Sequence, residues 1–438
     1  MKVAFYLNNS KIAGVDLSEP AAGNPGCGGT QYLFAALPYF LKLNEPSIEP
    51  LLIASSVDRL PPSLETRQAG DLASAAAAAV DWGADFFVFR DDISIVSDAL
   101  KDSGTKGILW SHNLILDRPE LDAIADNGEV ARVVMVGQEA ADFIRDHRIS
   151  EKLSVIHNGF PHESVSAWNK DEQAEEKNDV NRVVYVGSLV PAKGFHRLAR
   201  IWPRVEELVP DAHLDVIGSG QLYNSGEKMG RFGLSMPDYE EEFMRPLTLP
   251  NGEIRSSVTF HGKMGSERFD LMSAAKVGVV NPTGETEVCP GSAIEFQAVG
   301  VPVVSAKEWG LLDTVKNKVS GLLCETDEEM AQGIALLLND EAKRLELSRN
   351  CRSYVRQAFN FEKVCREWAQ LFEAMAGNRK LSPVPVKGNW RYRGKWMREM
   401  IRVGKQYGLI KKDAPAVMFD SPKRWAINYC KSLVRKQG

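Results

Sequence analysis

Asn281-Pro-Thr-Gly-Glu-Thr-Glu287-Val-Cys-Pro-Gly291-Ser-Ala-Ile-Glu295-Phe-Gln-Ala-Val-Gly300 lies between two apolar runs, Val277-Gly-Val-Val280 and Val301-Pro-Val-Val304. Each run is short and β-branched, the pattern of a strand buried on both faces of a parallel sheet. Between them, Pro282, Gly284, Pro290 and Gly291 break the chain into a loop, and a short helix then closes on Gly300. Strand, loop, helix and strand make one repeat of an α/β layer. The reading puts Glu287 in the strand-to-helix loop and Glu295 about one turn into the helix. In an open sheet, ligands bind at the carboxyl ends of the strands. Two carboxylates facing one such crevice suit two hydroxyl-rich groups of an elongated ligand better than one metal ion.

The same alternation runs outward on both sides. In the first half it predicts strands at Val3–Leu7, Leu51–Ala54, Phe86–Phe89, Gly107–Trp110, Val133–Val136 and Leu153–Ile156. Helices are expected over 32–43, 72–80, 114–125 and 140–147. Ser164–Val180 is polar, charged and without apolar periodicity, so it reads as a linker. The second half predicts strands at Val183–Val186, Leu214–Ile217, Val258–Phe260 and the two runs already quoted, with helices near 195–209, 267–274, 292–299 and 327–338. The result is two doubly wound α/β domains. The connection Leu222–Ser257, with its acidic stretch Asp238–Phe243, is long enough to be functional or mobile.

Composition narrows the class. The 438 residues suggest two or three domains, and 44% hydrophobic with 25% charged residues is ordinary for a globular protein. None of the six cysteines forms a C-x-x-C pair, so neither a zinc site nor a redox dithiol is signalled. The chain begins directly as a strand, without a signal-type segment, and no apolar run reaches a membrane span, so a cytoplasmic location is expected. The net charge of −5 conceals an asymmetry. Residues 379–438 hold 16 Lys/Arg against three acids, a net +13, so residues 1–378 carry −18. Trp390, Tyr392, Trp396, Tyr407, Trp425 and Tyr429 are interleaved with those cations. Such a tail folds back on the acidic body, lies on an anionic membrane surface or binds nucleic acid; the first two are retained.

Two loops carry candidate phosphate contacts. Gly26-Cys-Gly28-Gly29-Thr30 precedes a helix but lies well downstream of the first strand. It therefore fails the dinucleotide fingerprint, which argues against a dehydrogenase, yet leaves amide donors at a helix N-terminus. Gly187-Ser188-Leu-Val-Pro-Ala-Lys193-Gly194 follows a strand, so Lys193 sits before a helix N-terminus where cation and dipole both favour a phosphate. Small residues at Gly218-Ser-Gly220 and Gly262 follow two further strands.

Together these motifs resemble glycosyltransferase family 4, retaining enzymes of the GT-B fold, over about residues 1–378. The resemblance rests on Gly28-Gly29, Trp110-Ser-His112-Asn113, Val155-Ile-His-Asn-Gly159, Gly187–Gly194, Ile217–Gly220, Phe260–Gly262 and above all Glu287-x7-Glu295 followed by Gly300-Val-Pro-Val-Val. It implies two Rossmann-like domains facing across a cleft: an acceptor domain, 1–170, and a nucleotide-sugar domain, 181–358. A helix over 359–378 would cross back to the first domain, and 379–438 would be a basic aromatic-rich extension.

The resemblance also implies roles. Glu295 would accept from the nucleotide ribose hydroxyls, and Glu287 would hold hydroxyls of the donor sugar. Cys289, Pro290, Gly291 and Ser292 would line the sugar and diphosphate, and Lys193 would neutralise the departing diphosphate. His112 would approach the donor sugar, Gly28 and Gly29 would supply amides, and Lys263 and Met264 would meet the base. Ser188 and Gly218 complete the donor site. The implied activity is retaining transfer, without metal or cofactor, from a UDP-sugar rather than a GDP-sugar to a saccharide or lipid-linked acceptor. The enzyme would be cytoplasmic, with a peripheral place at the inner membrane face. A GT-B sugar-nucleotide epimerase or a non-catalytic nucleotide-binding module are the alternatives. Two departures stand out: Ser188 replaces a common arginine, for which Arg231 or Lys263 would substitute, and Pro290 removes one amide donor from the Glu287 loop.

Overall fold

The computed structural model describes residues 1–162, 180–221, 228–379 and 395–410. The expected linker, 164–180, falls almost wholly outside the described residues. By internal contact the chain forms two units. The first gathers Met1–Gly14, Phe34–His157 and Val364–Gly438; the second gathers Val15–Leu33 and Asn158–Lys363.

In the first unit the elements are β1 (Lys2–Leu7), α1 (Gly29–Asn44, whose first turn groups with the second unit), β2 (Glu49–Ala54), β3 (Glu65–Gln68), α2 (Leu72–Trp82), β4 (Phe86–Phe89), α3 (Ile93–Leu100), β5 (Lys106–Ser111), α4 (Arg118–Asp126), β6 (Val130–Met135), α5 (Gln138–Ile144) and β7 (Leu153–Val155). The strands form one parallel sheet in the order β3-β2-β1-β4-β5-β6-β7. Phe5, Leu51, Ile53, Phe87 and Val88 are fully buried in it. In α2, Ala75, Ala76 and Ala79 are buried, small side chains that let the helix lie close to the sheet. Two elements escape the apolar pattern. The edge strand β3 is Glu-Thr-Arg-Gln, and α3 starts from an Asp92 cap that accepts from Ser94 N at 2.9 Å. The helix expected from 114 begins only at Arg118.

The second unit runs β8 (Asn181–Val186), α6 (Phe195–Leu208), β9 (Ala212–Ile217), α7 (Pro237–Met244), β10 (Val258–Gly262), α8 (Arg268–Ser273), β11 (Val277–Val279), α9 (Gly291–Ala298), β12 (Val303–Ala306), α10 (Leu311–Thr314), β13 (Gly321–Cys324), α11 (Asp327–Asn339) and α12 (Glu341–Ala358). Its parallel sheet has the order β10-β9-β8-β11-β12-β13. The apolar stripe of α6, Phe195, Leu198, Ile201, Trp202 and Val205, is buried in the core, as its spacing requires. The long acidic connection contains a helix. Asp238–Phe243 is a helix whose Tyr239 and Phe243 join the core, and the buried Glu240 carboxylate accepts from Phe232 N, Leu234 N and Ser235 N. It anchors its own loop rather than offering free charge.

Two helices follow, α13 (Phe361–Ala376) and α14 (Lys395–Gln406). Trp368 and Phe372 of α13 are fully buried in the first unit, Trp368 edge-on to Trp110 at 5.4 Å and Phe372 stacked on Phe86 at 5.5 Å. Of the basic tail, only 379 and 395–410 are described, and there the cations turn inward. Arg398 is fully buried, 3.5 Å from Asp142 and over the Phe143 ring at 4.4 Å. Arg402 reaches Asp142 at 3.3 Å, and Lys405 pairs with Asp146. This part of the tail folds against acidic groups of the body by opposite charge. No helix among the described residues is long and apolar enough to cross a membrane.

Candidate active site

The strand order of the second, parallel sheet reverses between β8 and β11, its first and fourth strands in chain order. The loops leaving two neighbouring strands at such a point diverge and open a crevice. After β8 comes the Lys193 turn; after β11 comes the Glu287 loop. Lys193 Nζ lies 2.6 Å from Glu287 Oε1, with the side chains 24% and 9% exposed, so the two candidates meet in a mostly buried ion pair. Asn281, the second residue beyond β11, holds the arrangement. Its Nδ2 is 3.0 Å from Glu287 Oε1, from Ala192 O in the lysine turn and from Glu285 O. Asn281 is 1% exposed and has φ of 32°, a backbone state that asparagine tolerates better than most side chains.

Glu295 sits on α9 and is also paired. Arg268 Nη2 and Nε donate to its two oxygens at 2.7 and 3.3 Å, a fork on a fork, with side chains 6% and 11% exposed. The remaining nitrogen, Nη1, donates to Gly265 O and to Asn24 O, each at 2.8 Å. Asn24 opens the glycine loop, and its Oδ1 accepts from Gly26 N and Cys27 N. At Gly26, φ is 91° and an added Cβ would come within 2.8 Å of Met264 O, so glycine is required there. The glycine loop with Gly28 and Gly29 thus belongs to the same unit as Glu295, tied to it through Arg268.

The other expected residues fall as follows. Ser188 is buried and donates to Ser219 O at 3.0 Å. A side chain at Gly218 would overlap Gly187 O, and its amide donates to Gly262 O, which locks the three loops leaving β8, β9 and β10 together. Lys263 is exposed and Met264 half-buried just beyond β10. Cys289 is buried, and its carbonyl accepts from Asn158 Nδ2 at 3.3 Å. Pro290 caps α9, where Gly291 is exposed and Ser292 half-buried. His112, at the carboxyl end of β5 in the first unit, packs on Trp110 at 4.6 Å. Of the two proposed substitutes for arginine, Lys263 and Arg231 are both exposed, and Arg231 lies 5.3 Å from the Phe232 ring. Burial pushes the Cys289 thiol up to about 12 and the Cys27 thiol to about 11, so neither is a thiolate at neutral pH.

Sequence reasoning missed Arg268, Asn281 and Asn24. Asn281 had a signal, as an asparagine straight after a strand and before Pro-Thr-Gly. Arg268 had none, because its partner is 27 residues away and meets it only once the sheet closes.

Residues 166–357 match the family model for glycosyl transferases group 1. The matched stretch lies in the second unit, and the two parallel sheets have the GT-B fold. Among its relatives is an uncharacterized glycosyltransferase of Haemophilus influenzae, 29% identical over 203 residues, covering 46% of this chain and 50% of the relative. The matched stretch spans about half the length of the curated relatives. A glycosyltransferase from Rickettsia africae superposes with a TM-score of 0.67 at 13% identity, covering 86% of this chain and 99% of that one. HepE from Anabaena, in complex with UDP-glucose, gives 0.60 at 18% identity over 85% of this chain and all of that one. These likenesses carry the fold.

Proposed function

We propose that the chain transfers a hexose with retention from a nucleotide-diphosphate sugar, UDP-linked rather than GDP-linked, to a saccharide or lipid-linked acceptor. The observation that carries this reading is the pairing of Lys193 with Glu287 where the strand order reverses, in the same strand-loop-helix unit as a Glu295 oriented by Arg268. Transfer breaks the bond from the anomeric carbon to the diphosphate, and negative charge grows on the leaving oxygen. Lys193 and the N-terminus of α6 stabilise that charge; one such donor contributes about 10²–10³ in rate. Glu295 accepts from ribose hydroxyls and Glu287 from sugar hydroxyls. Glu287 Oε1 is already engaged by Lys193 and Asn281, which disfavours it as a nucleophile. The acceptor oxygen therefore attacks from the leaving-group face, and its proton passes to the departing diphosphate. His112 is a further group assigned to the donor sugar. Lysine takes the role a divalent metal would otherwise have, so turnover persists in EDTA. The neighbour bound to UDP-glucose supports UDP as the nucleotide. A cytoplasmic enzyme working at the inner membrane face fits the basic tail.

The test is a titration calorimetry and product-release panel with UDP- and GDP-sugars. Binding of a UDP-sugar, with UDP released only when acceptor is present, supports the reading. Free sugar or an epimer without acceptor would mark an epimerase or hydrolase instead. Glu287→Gln is expected to lower kcat about 10²–10³-fold while the UDP dissociation constant moves less than tenfold. Unchanged kcat would remove Glu287 from the machinery.

A further inference from the structure

We infer that α14 is a lipid-docking helix, which contacts an anionic membrane surface through its apolar face and not through its own cations. At 100° per residue, Trp396, Met400, Val403 and Tyr407 fall on one face, while Arg398, Arg402 and Lys405 fall on the opposite one. The polarity is inverted relative to an ordinary surface helix. The cations are buried against Asp142 and Asp146, and Glu399 is tied to Arg145 and Arg402. The apolar stripe is what faces outward: Trp396 is 69% exposed, Met400 64%, Val403 50%, Tyr407 75%, and Leu409 just beyond the helix 83%. Large apolar side chains left open at consecutive helical turns mark an interaction surface.

The occupant follows from residue type and charge. An aromatic ring at each end of an aliphatic stripe is the composition that settles at a lipid headgroup boundary. The twelve residues of α14 make a rod about 18 Å long, enough to lie in that boundary without crossing it. Arg391, Arg393 and Lys395 precede the stripe in sequence, and Lys411 and Lys412 follow it. A second copy of the chain would offer the same stripe but bring the same cationic flanks, so like charges would oppose the contact. An anionic lipid surface complements both the stripe and its flanks. The buried pairs of Arg398 and Lys405 meanwhile fix the helix to the body, so docking needs no release of the helix.

This deepens the proposed lipid-proximal acceptor, yet vesicle binding is read without donor or acceptor. Transfer failing while vesicle binding holds would therefore overturn only the transfer reading. The full-length protein is sedimented with vesicles of phosphatidylcholine alone and of phosphatidylcholine with phosphatidylglycerol. The wild type is expected to partition onto the second. The combined Trp396→Ser, Met400→Ser, Val403→Ser and Tyr407→Ser variant should lose about tenfold or more. Its melting midpoint and UDP-glucose affinity should stay unchanged, since the four side chains are exposed. Wild-type partitioning by the serine variant, or no partitioning by the wild type, overturns the inference. So does light scattering that finds a wild-type dimer which the serine variant dissolves, because the occupant is then a second copy.

Discussion

Arg268 joins three pieces of chain that are far apart in sequence: Asn24, Gly265 and Glu295. Its five donors lie in a rigid fork, so charge alone does not substitute for it. Arg268→Lys keeps the charge but loses the bidentate geometry; Arg268→Ala leaves a buried carboxylate uncompensated, at a cost of about 3–5 kcal/mol. Thermal melts should rank wild type above Arg268→Lys and Arg268→Ala lowest, and both variants should bind UDP-sugar more weakly. A Lys variant that melts and binds like the wild type would reduce the pair to simple charge neutralisation. The Glu-x7-Glu spacing was legible because both acids sit in one local strand-loop-helix unit. Arg268 was not, since its meaning exists only after β10 and β11 have taken their places in the sheet.

At the scale of the element, buried parallel strands announce themselves and polar elements do not. Every apolar run singled out in the sequence carries a strand, whereas β3, β13, α3, α7, α10 and α12 were missed: β3 is a polar edge, β13 an edge strand of only four residues, and α12 a largely polar helix with only Leu347, Ser348, Cys351 and Val355 buried. The turn after α5 shows how an element end responds to pH. His147 is buried, its Nδ1 accepting from Ile149 N at 3.2 Å and its Nε2 3.1 Å from Asp122. Burial holds its pKa below the ordinary value, despite the neighbouring carboxylate. The unfolded chain therefore takes up the proton first. This contribution is complete above about pH 6.5 and is lost as pH falls toward the depressed folded value. The melting midpoint should decline below about pH 6.5 in the wild type and more shallowly in His147→Gln. Parallel profiles would assign the decline to other groups.

At the scale of the molecule, neither unit is a continuous piece of chain. A boundary drawn in the linker near residue 170 separates Val15–Leu33 from the sheet it serves. Residues 158–363 expressed alone lack Asn24 O, the acceptor for Arg268 Nη1. Losing one charge-assisted bond costs about 1.5–3 kcal/mol, or ~5 °C in midpoint for a unit of this size. Calorimetry of that fragment should give a transition lower by at least that amount than either transition of the full chain. Coincidence with one of them would show that the glycine loop contributes nothing to the unit. The same division has a bearing on synthesis. Trp110 and Phe86 emerge from the ribosome early, but Trp368 and Phe372, which cover them, come some 260–290 residues later; at 5–20 residues per second the nascent sheet waits roughly 10–60 s with its aromatic face uncovered. During that interval the face is a target for a holding chaperone, and a translational pause late in the message prolongs it.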